Sequence, residues 1–170
     1  MTSDAPVRPQ ARSRLDGYTF EPHRCFACGE LNEHGLHLAI HADPEHAWTE
    51  TILEQRFQGW EAVAHGGIVC TLLDEVMAWA PSSFDSWAVT AEMSIRYRSP
   101  ANPGEPLTAR GWVTERRRRI YQVRGEVRGE DGRLIAEAHG KFLGASPSVK
   151  AELKARYGMP VDMTVAGARE

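Results

Sequence analysis

Thirteen consecutive residues, Ile68–Ala80 (IVCTLLDEVMAWA), constrain this chain more than any other feature. The run is apolar at nearly every position, follows Gly66-Gly67 and is stopped by Pro81. It is too long for a strand and has a helix stop behind it, so the pattern predicts a helix. A helix that is apolar almost all round is buried on most sides. The rest of the chain must therefore wrap around this segment. Its polar exceptions are Thr71, Asp74 and Glu75.

The wrapping material lies mostly downstream. Ala91, Met93, Ile95 and Tyr97 alternate with Thr90, Glu92, Ser94, Arg96 and Arg98. The same two-residue period runs through 107–114, 121–128 and 133–142, and each stretch reads as a strand with one apolar face. Asp131-Gly132 is a hairpin signal between the last two. Shorter strands are expected near Leu36–Ile40 and Ala47–Leu53, and a short helix near Val149–Tyr157. The order strand, strand, helix, four strands predicts an α+β fold, with one buried helix wrapped by one curved antiparallel sheet.

Composition narrows the class. The 170 residues are 42% hydrophobic and 25% charged, with 20 Lys and Arg against 23 Asp and Glu, a net charge of −3. These figures fit one ordinary domain and give no global reason to expect nucleic-acid binding. No stretch approaches the roughly 18 apolar residues of a membrane span. The polar N-terminus does not resemble a secretory signal, and three cysteines are too few for a disulfide scaffold, so a cytoplasmic location is expected. The expected organisation is a flexible arm over 1–24, one domain over 25–145, and a short helix with a tail over 146–170.

Asp74 is the sharpest chemical candidate. A carboxylate inside a buried helix is costly unless paired, hydrogen-bonded or protonated, and such groups serve both structure and catalysis. Glu75 lies about 100° further round the helix, so it points elsewhere and is expected to be structural. Gly66-Gly67 leaves unobstructed N–H groups at the helix start, where the dipole favours developing negative charge. Gly66 and Asp74 are eight residues apart, or about 12 Å along the axis at 1.5 Å per residue. A base and an oxyanion donor must both lie within about 3 Å of one reacting group. If both act, Gly66 of one copy faces Asp74 of another, which requires a dimer. His65 either locks the loop or touches substrate.

Two further clusters stand out. Cys25, Cys28, His34 and His37 fall within thirteen residues, enough donors for a tetrahedral zinc but at a spacing shorter than the usual finger. The other reading is a turn with reduced thiols packed as small hydrophobes. Cys70, in the helix, is expected in the core. Arg116–Arg119 is either a solvated turn or a phosphate-binding patch, with Arg96 and Arg98 nearby on the polar strand face.

The segments QGWEAVAHGGIVCTLLDEVMAWA, TAEMSIRYRSP and GRLIAEAHGKFLG, with the opening CFACGELNEHGLHL, resemble PaaI-like hotdog-fold acyl-CoA thioesterases over about Cys25 to Gly144. The resemblance implies a hotdog fold and hydrolysis of acyl-CoA to free acid and CoA, with no cofactor. It implies Asp74 as general base or nucleophile, the Gly66 N–H as oxyanion donor, Thr90 as a positioning hydroxyl and Gln58 as a residue orienting the thioester; His65, which opens the His-Gly-Gly motif, joins these as a candidate catalytic residue. Gly67, Arg96, Arg98, Arg117 and Arg118 are the expected substrate-binding residues, and Trp79, Phe84 and Trp87 the bulky residues for an acyl pocket. The implied partners are acyl-CoA and a second copy, as a homodimer or a dimer of dimers (homotetramer), with no nucleic acid and no membrane span. A non-catalytic hotdog that binds acyl-CoA is the alternative. A hotdog hydratase would want His at position 79, where this chain has Trp79.

Overall fold

The computed structural model describes residues 14–15, 18–19, 21–84 and 86–158. Two short strands, β1 (Arg14–Leu15) and β2 (Tyr18–Thr19), pair with each other. Then come β3 (His41–Ala42), β4 (Ala47–Ile52), β5 (Gln58–Trp60), β6 (Val63–Ala64) and the helix α1 (Gly66–Trp79). Four long strands follow, β7 (Ala88–Tyr97), β8 (Pro106–Arg117), β9 (Ile120–Gly129) and β10 (Leu134–Gly144), and the helix α2 (Pro147–Arg156) comes last. Six strands form one antiparallel sheet in the order β3-β4-β8-β9-β10-β7, and α1 packs on it. The expected helix and four long strands are all present, and the fold is the α+β architecture of a helix wrapped by a curved sheet.

Sequence and packing explain this arrangement. Val69, Leu72, Leu73, Val76 and Met77 form the buried stripe of α1. They meet the inward positions of the sheet, among them Leu107, Val123, Ile135 and Phe142. The helix lies close to the strands because two inward positions carry no side chain. A Cβ on Gly111 would stand 2.6 Å from the Val76 carbonyl oxygen, and one on Gly125 would stand 2.8 Å from Met77 Sδ. After α1, the chain from Ala80 to Phe84 tightens into a 3-10 turn around Pro81. The β9–β10 turn uses Asp131-Gly132 as expected, with Gly132 at φ +79 and Asp131 Oδ1 accepting the Arg133 N–H at 3.0 Å. The arginine run makes the β8–β9 turn, where Arg118 adopts φ +57.

Several expectations need correction. Leu36–Ile40 is not a strand. His37 sits at φ +51, which breaks an extended run, and the Leu36 and Leu38 N–H groups donate to Phe26 and Ala27 carbonyls at 2.8 and 2.9 Å. The alternation there was real, since Leu38 and Ile40 are buried, but the partner is the cysteine segment rather than the sheet. The second helix begins two residues earlier than expected, with Ser146 as its cap and Pro147 in its first turn. The flexible arm expected over 1–24 lies partly outside the described residues, and so does the tail beyond 158. Within the described part, the Glu21 N–H is already tied to the Tyr157 carbonyl at 3.0 Å. Among the described residues no helix is long and apolar enough to cross a membrane.

Candidate active site

The N-terminal end of α1 is built by a tight loop. Strands β5 and β6 form a small hairpin whose turn residue Ala62 adopts φ +60. Gln58 Oε1 accepts the Ala62 N–H at 3.0 Å, so this side chain holds the turn. The His65 N–H donates to the Phe57 carbonyl at 2.8 Å, which brings the chain into the helix from a fixed direction. His65 is the N-cap, and its Nδ1 accepts the Gly67 N–H at 3.0 Å. The loop-locking reading of His65 is therefore the one the geometry supports, and it occupies the Gly67 donor. The Gly66 N–H has no intrahelical partner and no hydrogen bond among the described residues. It is the available donor at this helix end. A cleft of about 690 Å³ opens beside it, walled by Trp60, Val69, Tyr97 and Pro100 among others.

Asp74 lies two turns along the same helix and is half-buried. Thr90 Oγ1 donates a hydrogen bond to Asp74 Oδ1. That contact corrects the alternation reading, which put Thr90 on the polar strand face. Strand β7 pairs Glu92 with Lys141 but Thr90 with Phe142, so Ala91 is an extra, unpaired residue. The resulting bulge reverses the parity of the strand, and Thr90 joins Met93, Ile95 and Tyr97 on the side facing α1.

Gly66 and Asp74 are connected by a stripe that sequence reasoning missed. Gly66, Cys70 and Asp74 follow an i, i+4, i+8 spacing on one flank of α1. Cys70 is half-buried on this flank rather than in the core, and burial, assisted by the Asp74 charge, pushes its thiol pKa up. Tyr97 closes the other end by donating its hydroxyl to the Gly66 carbonyl at 2.8 Å. Desolvation pushes the Tyr97 phenol up, keeping it a donor. The i, i+4 spacing was legible in the sequence, whereas Tyr97 looked like another apolar strand position.

The remaining candidates divide by location. Arg98 lines the Gly66 cleft and is paired with Glu137, Nε to Oε1 at 3.0 Å. Arg96 faces the opposite side of the sheet, in a second cleft with Trp112, Arg124 and His139, away from Asp74. Beyond the bulge, parity turns Ile95 and Tyr97 toward α1 and so turns Arg96 out. Arg117 and Arg118 are exposed at the β8–β9 turn, at the end of the sheet where β7 starts. Trp79, Phe84 and Trp87 do not line the Gly66 cleft. Trp79 contacts Trp87, Trp87 stacks on Tyr157, and Phe84 meets Tyr121.

The cysteine cluster also differs from expectation. Cys25 and Cys28 come together with Glu75 of α1, whereas His34 and His37 stand apart from them. Spacing along the segment could not show that the third member lies fifty residues away. A hydrogen bond from Cys28, helped by the backbone N–H groups of Cys28 and Ala27, holds the Cys25 thiol down at about 5 against partial desolvation. The Cys28 thiol is pushed far up by that same bond and by burial. Burial and the Cys25 charge raise Glu75 to about 7.

Comparison with known proteins agrees with this fold. Residues 61–136 match the Thioesterase superfamily family model. A protein of Archaeoglobus fulgidus whose name is no more specific than esterase is 30% identical over 95 residues, covering 56% of this chain and 62% of its own length. Acyl-coenzyme A thioesterase 13 of Mus musculus is 28% identical over 109 residues, covering 62% of this chain and 78% of its own. The crystal structure of a thioesterase superfamily protein superposes with a TM-score of 0.66 at 26% identity, over 71% of this chain and 60% of that one. The chain thus spans less than two thirds of the length of the archaeal relative and of that structure. Motif, helix-and-sheet architecture and family match converge: over residues 61–136 the chain is similar to the Thioesterase superfamily, and its fold is the hotdog fold.

Proposed function

We propose that this protein hydrolyses acyl-CoA thioesters to a free acid and CoA, at a site completed by a second copy of the chain. One observation carries this reading: the two groups the chemistry needs sit on one rigid helix, too far apart to meet. Gly66 and Asp74 are eight residues apart, about 12 Å along α1, and the cleft beside Gly66 does not include Asp74. Further support comes from β7, which runs along both groups and ends the sheet with one edge unpaired among the described residues. Its Val89, Thr90 and Tyr97 are exposed, and an open edge of this length favours a second copy. A two-fold pairing of such surfaces sets Gly66 of each copy against Asp74 of the other, twice.

In this mechanism the thioester carbonyl oxygen accepts the Gly66 N–H, which stabilises the negative charge developing as the carbonyl is attacked. Asp74, oriented by the Thr90 hydroxyl, takes a proton from water as the hydroxide oxygen bonds to the carbonyl carbon. The tetrahedral intermediate collapses and expels CoA as its thiolate, which takes up a proton. In the nucleophilic variant, the Asp74 carboxylate attacks first and expels CoA as its thiolate, and water then hydrolyses the resulting anhydride to the free acid and the Asp74 carboxylate. Tyr97 braces the Gly66 peptide, while Arg117 and Arg118 offer charge for CoA phosphates near the Asp74 end.

Complementation tests the reading. Gly66→Pro deletes the N–H at the first helical position, where proline fits, and the preceding His65 already has the extended backbone proline requires, at ψ 132. Gly66→Pro is expected to lower turnover by roughly 10²–10³-fold, and Asp74→Asn by about 10²–10⁴-fold. Co-expressing the two variants should restore about a quarter of wild-type thiol release, because half the dimers hold one intact site of two. No recovery in proven heterodimers would refute the shared site. Tight acyl-CoA binding without thiol release across a substrate panel would instead make the protein a binding module.

A further inference from the structure

The cysteine turn and Glu75 play no part in the hydrolysis proposed above, yet they form a built cluster. Cys25 Sγ, Cys28 Sγ and a Glu75 carboxylate oxygen lie within 4.8 Å of one another. Three features prepare these atoms for a shared ligand. The Gly29 N–H donates to the Cys25 carbonyl at 2.9 Å and closes a tight turn. A Cβ on Gly29 would lie 2.3 Å from Cys25 N and 2.5 Å from Cys25 O, so the turn admits only glycine. Within it, the backbone N–H groups of Ala27 and Cys28 hydrogen-bond Cys25 Sγ.

Glu75 is positioned with equal care. Trp79 Nε1 donates to Glu75 Oε1 at 2.9 Å, leaving Oε2 to face Cys25 Sγ at 4.0 Å. Two atoms bound tetrahedrally to one zinc, at about 2.3 Å for sulfur and 2.1 Å for oxygen, stand about 3.6 Å apart. A few tenths of an ångström of closure therefore brings this pair to ligating distance. The Trp79 contact is the kind of outer bond that orients a metal-binding carboxylate. Cys28 is buried while Cys25 is exposed, which leaves the solvent side open for a fourth ligand.

We propose that Cys25, Cys28 and Glu75 bind one zinc-class divalent cation, with water as the fourth ligand. Two thiolates select a borderline-soft metal over magnesium or calcium. The ion would fasten the 23–31 turn to the outer flank of α1, on the side away from Asp74's contact with Thr90. His34 and His37 take no part, although their spacing invites it.

The test uses the full-length chain, purified without a polyhistidine tag under reducing conditions. Elemental analysis should find about one zinc per chain, and cobalt(II) added after zinc removal should give thiolate-to-cobalt charge-transfer absorption. Glu75→Gln and Cys28→Ser should each weaken cobalt affinity at least about tenfold, and Trp79→Phe, which keeps every ligand, should weaken it about tenfold. The double variant His34→Ala/His37→Ala should bind as wild type. Wild-type protein with free thiols but neither zinc nor a cobalt charge-transfer band would overturn the proposal. So would a Cys25–Cys28 disulfide that persists under these conditions, or binding that survives Glu75→Gln and fails without the histidines. If Cys28→Ser does not fold, the wild-type cobalt spectrum and Trp79→Phe decide the matter alone. None of these outcomes bears on thioester hydrolysis.

Discussion

Thr90 donates a hydrogen bond to Asp74 because Ala91 is one residue too many for its strand. Without the bulge, Thr90 would share the outward face with Arg96. The carboxylate would then lose the hydroxyl that fixes its orientation. On the catalytic reading, Thr90→Val keeps the side chain's shape and removes the donor. A hydrogen bond to a charged group is worth about 1.5–3 kcal/mol, so kcat should fall between about tenfold and a hundredfold. Thr90→Ser should retain most activity. Steady-state thiol release for the two variants provides the check, and equal rates would remove Thr90 from the mechanism.

The cap on α1 predicts a stability effect separable from chemistry. His65 Nδ1 satisfies the Gly67 N–H. His65→Ala should cost about 1 kcal/mol, a normal cap loss, seen as a lower denaturant midpoint with unchanged slope.

The contact between helix and sheet predicts two unequal costs. Gly111 meets the backbone carbonyl of Val76, which has little freedom to retreat, whereas Gly125 meets the flexible thioether of Met77. Gly111→Ala should therefore destabilise by about 1–3 kcal/mol or more, and Gly125→Ala by clearly less. Equal thermal shifts for the two would mean that the helix yields as a rigid body.

One buried hydroxyl predicts a gain. Thr49 is fully buried on β4, and its Oγ1 has no hydrogen-bond partner among the described residues. Thr49→Val replaces that oxygen with a methyl group of similar size and should stabilise by about 1 kcal/mol. Chemical denaturation measures it, and a loss of stability would reveal a hidden partner for the hydroxyl.

Sequence periodicity revealed most of the architecture, because a half-buried strand and a buried helix each print their environment on their residues. Asp74 and Gly66 stood out as candidates for the same reason: a charge and a glycine pair interrupt an otherwise apolar pattern. What periodicity could not show is anything that depends on a change of register. The bulge at Ala91 inverted the facing of Thr90, and the left-handed residue His37 diverted an alternating run from the sheet. The grouping of Cys25 and Cys28 with Glu75 depends on tertiary packing across fifty positions, to which local spacing is blind. Tyr97 was correctly assigned to the inner face, but its hydroxyl contact with Gly66 becomes visible only once strand and helix are docked.

Asp74 and Glu75 are adjacent in sequence yet serve different walls of the molecule, one meeting β7 and the other the cysteine turn. Helix α1 thus acts as an indexing shaft. Deleting or inserting one residue between Ile68 and Leu73 would turn everything after it by about 100° relative to Gly66. That single change would separate Asp74 from Thr90 and Glu75 from the thiols at once. Homologous chains should accordingly keep the length of this segment even where its residues differ.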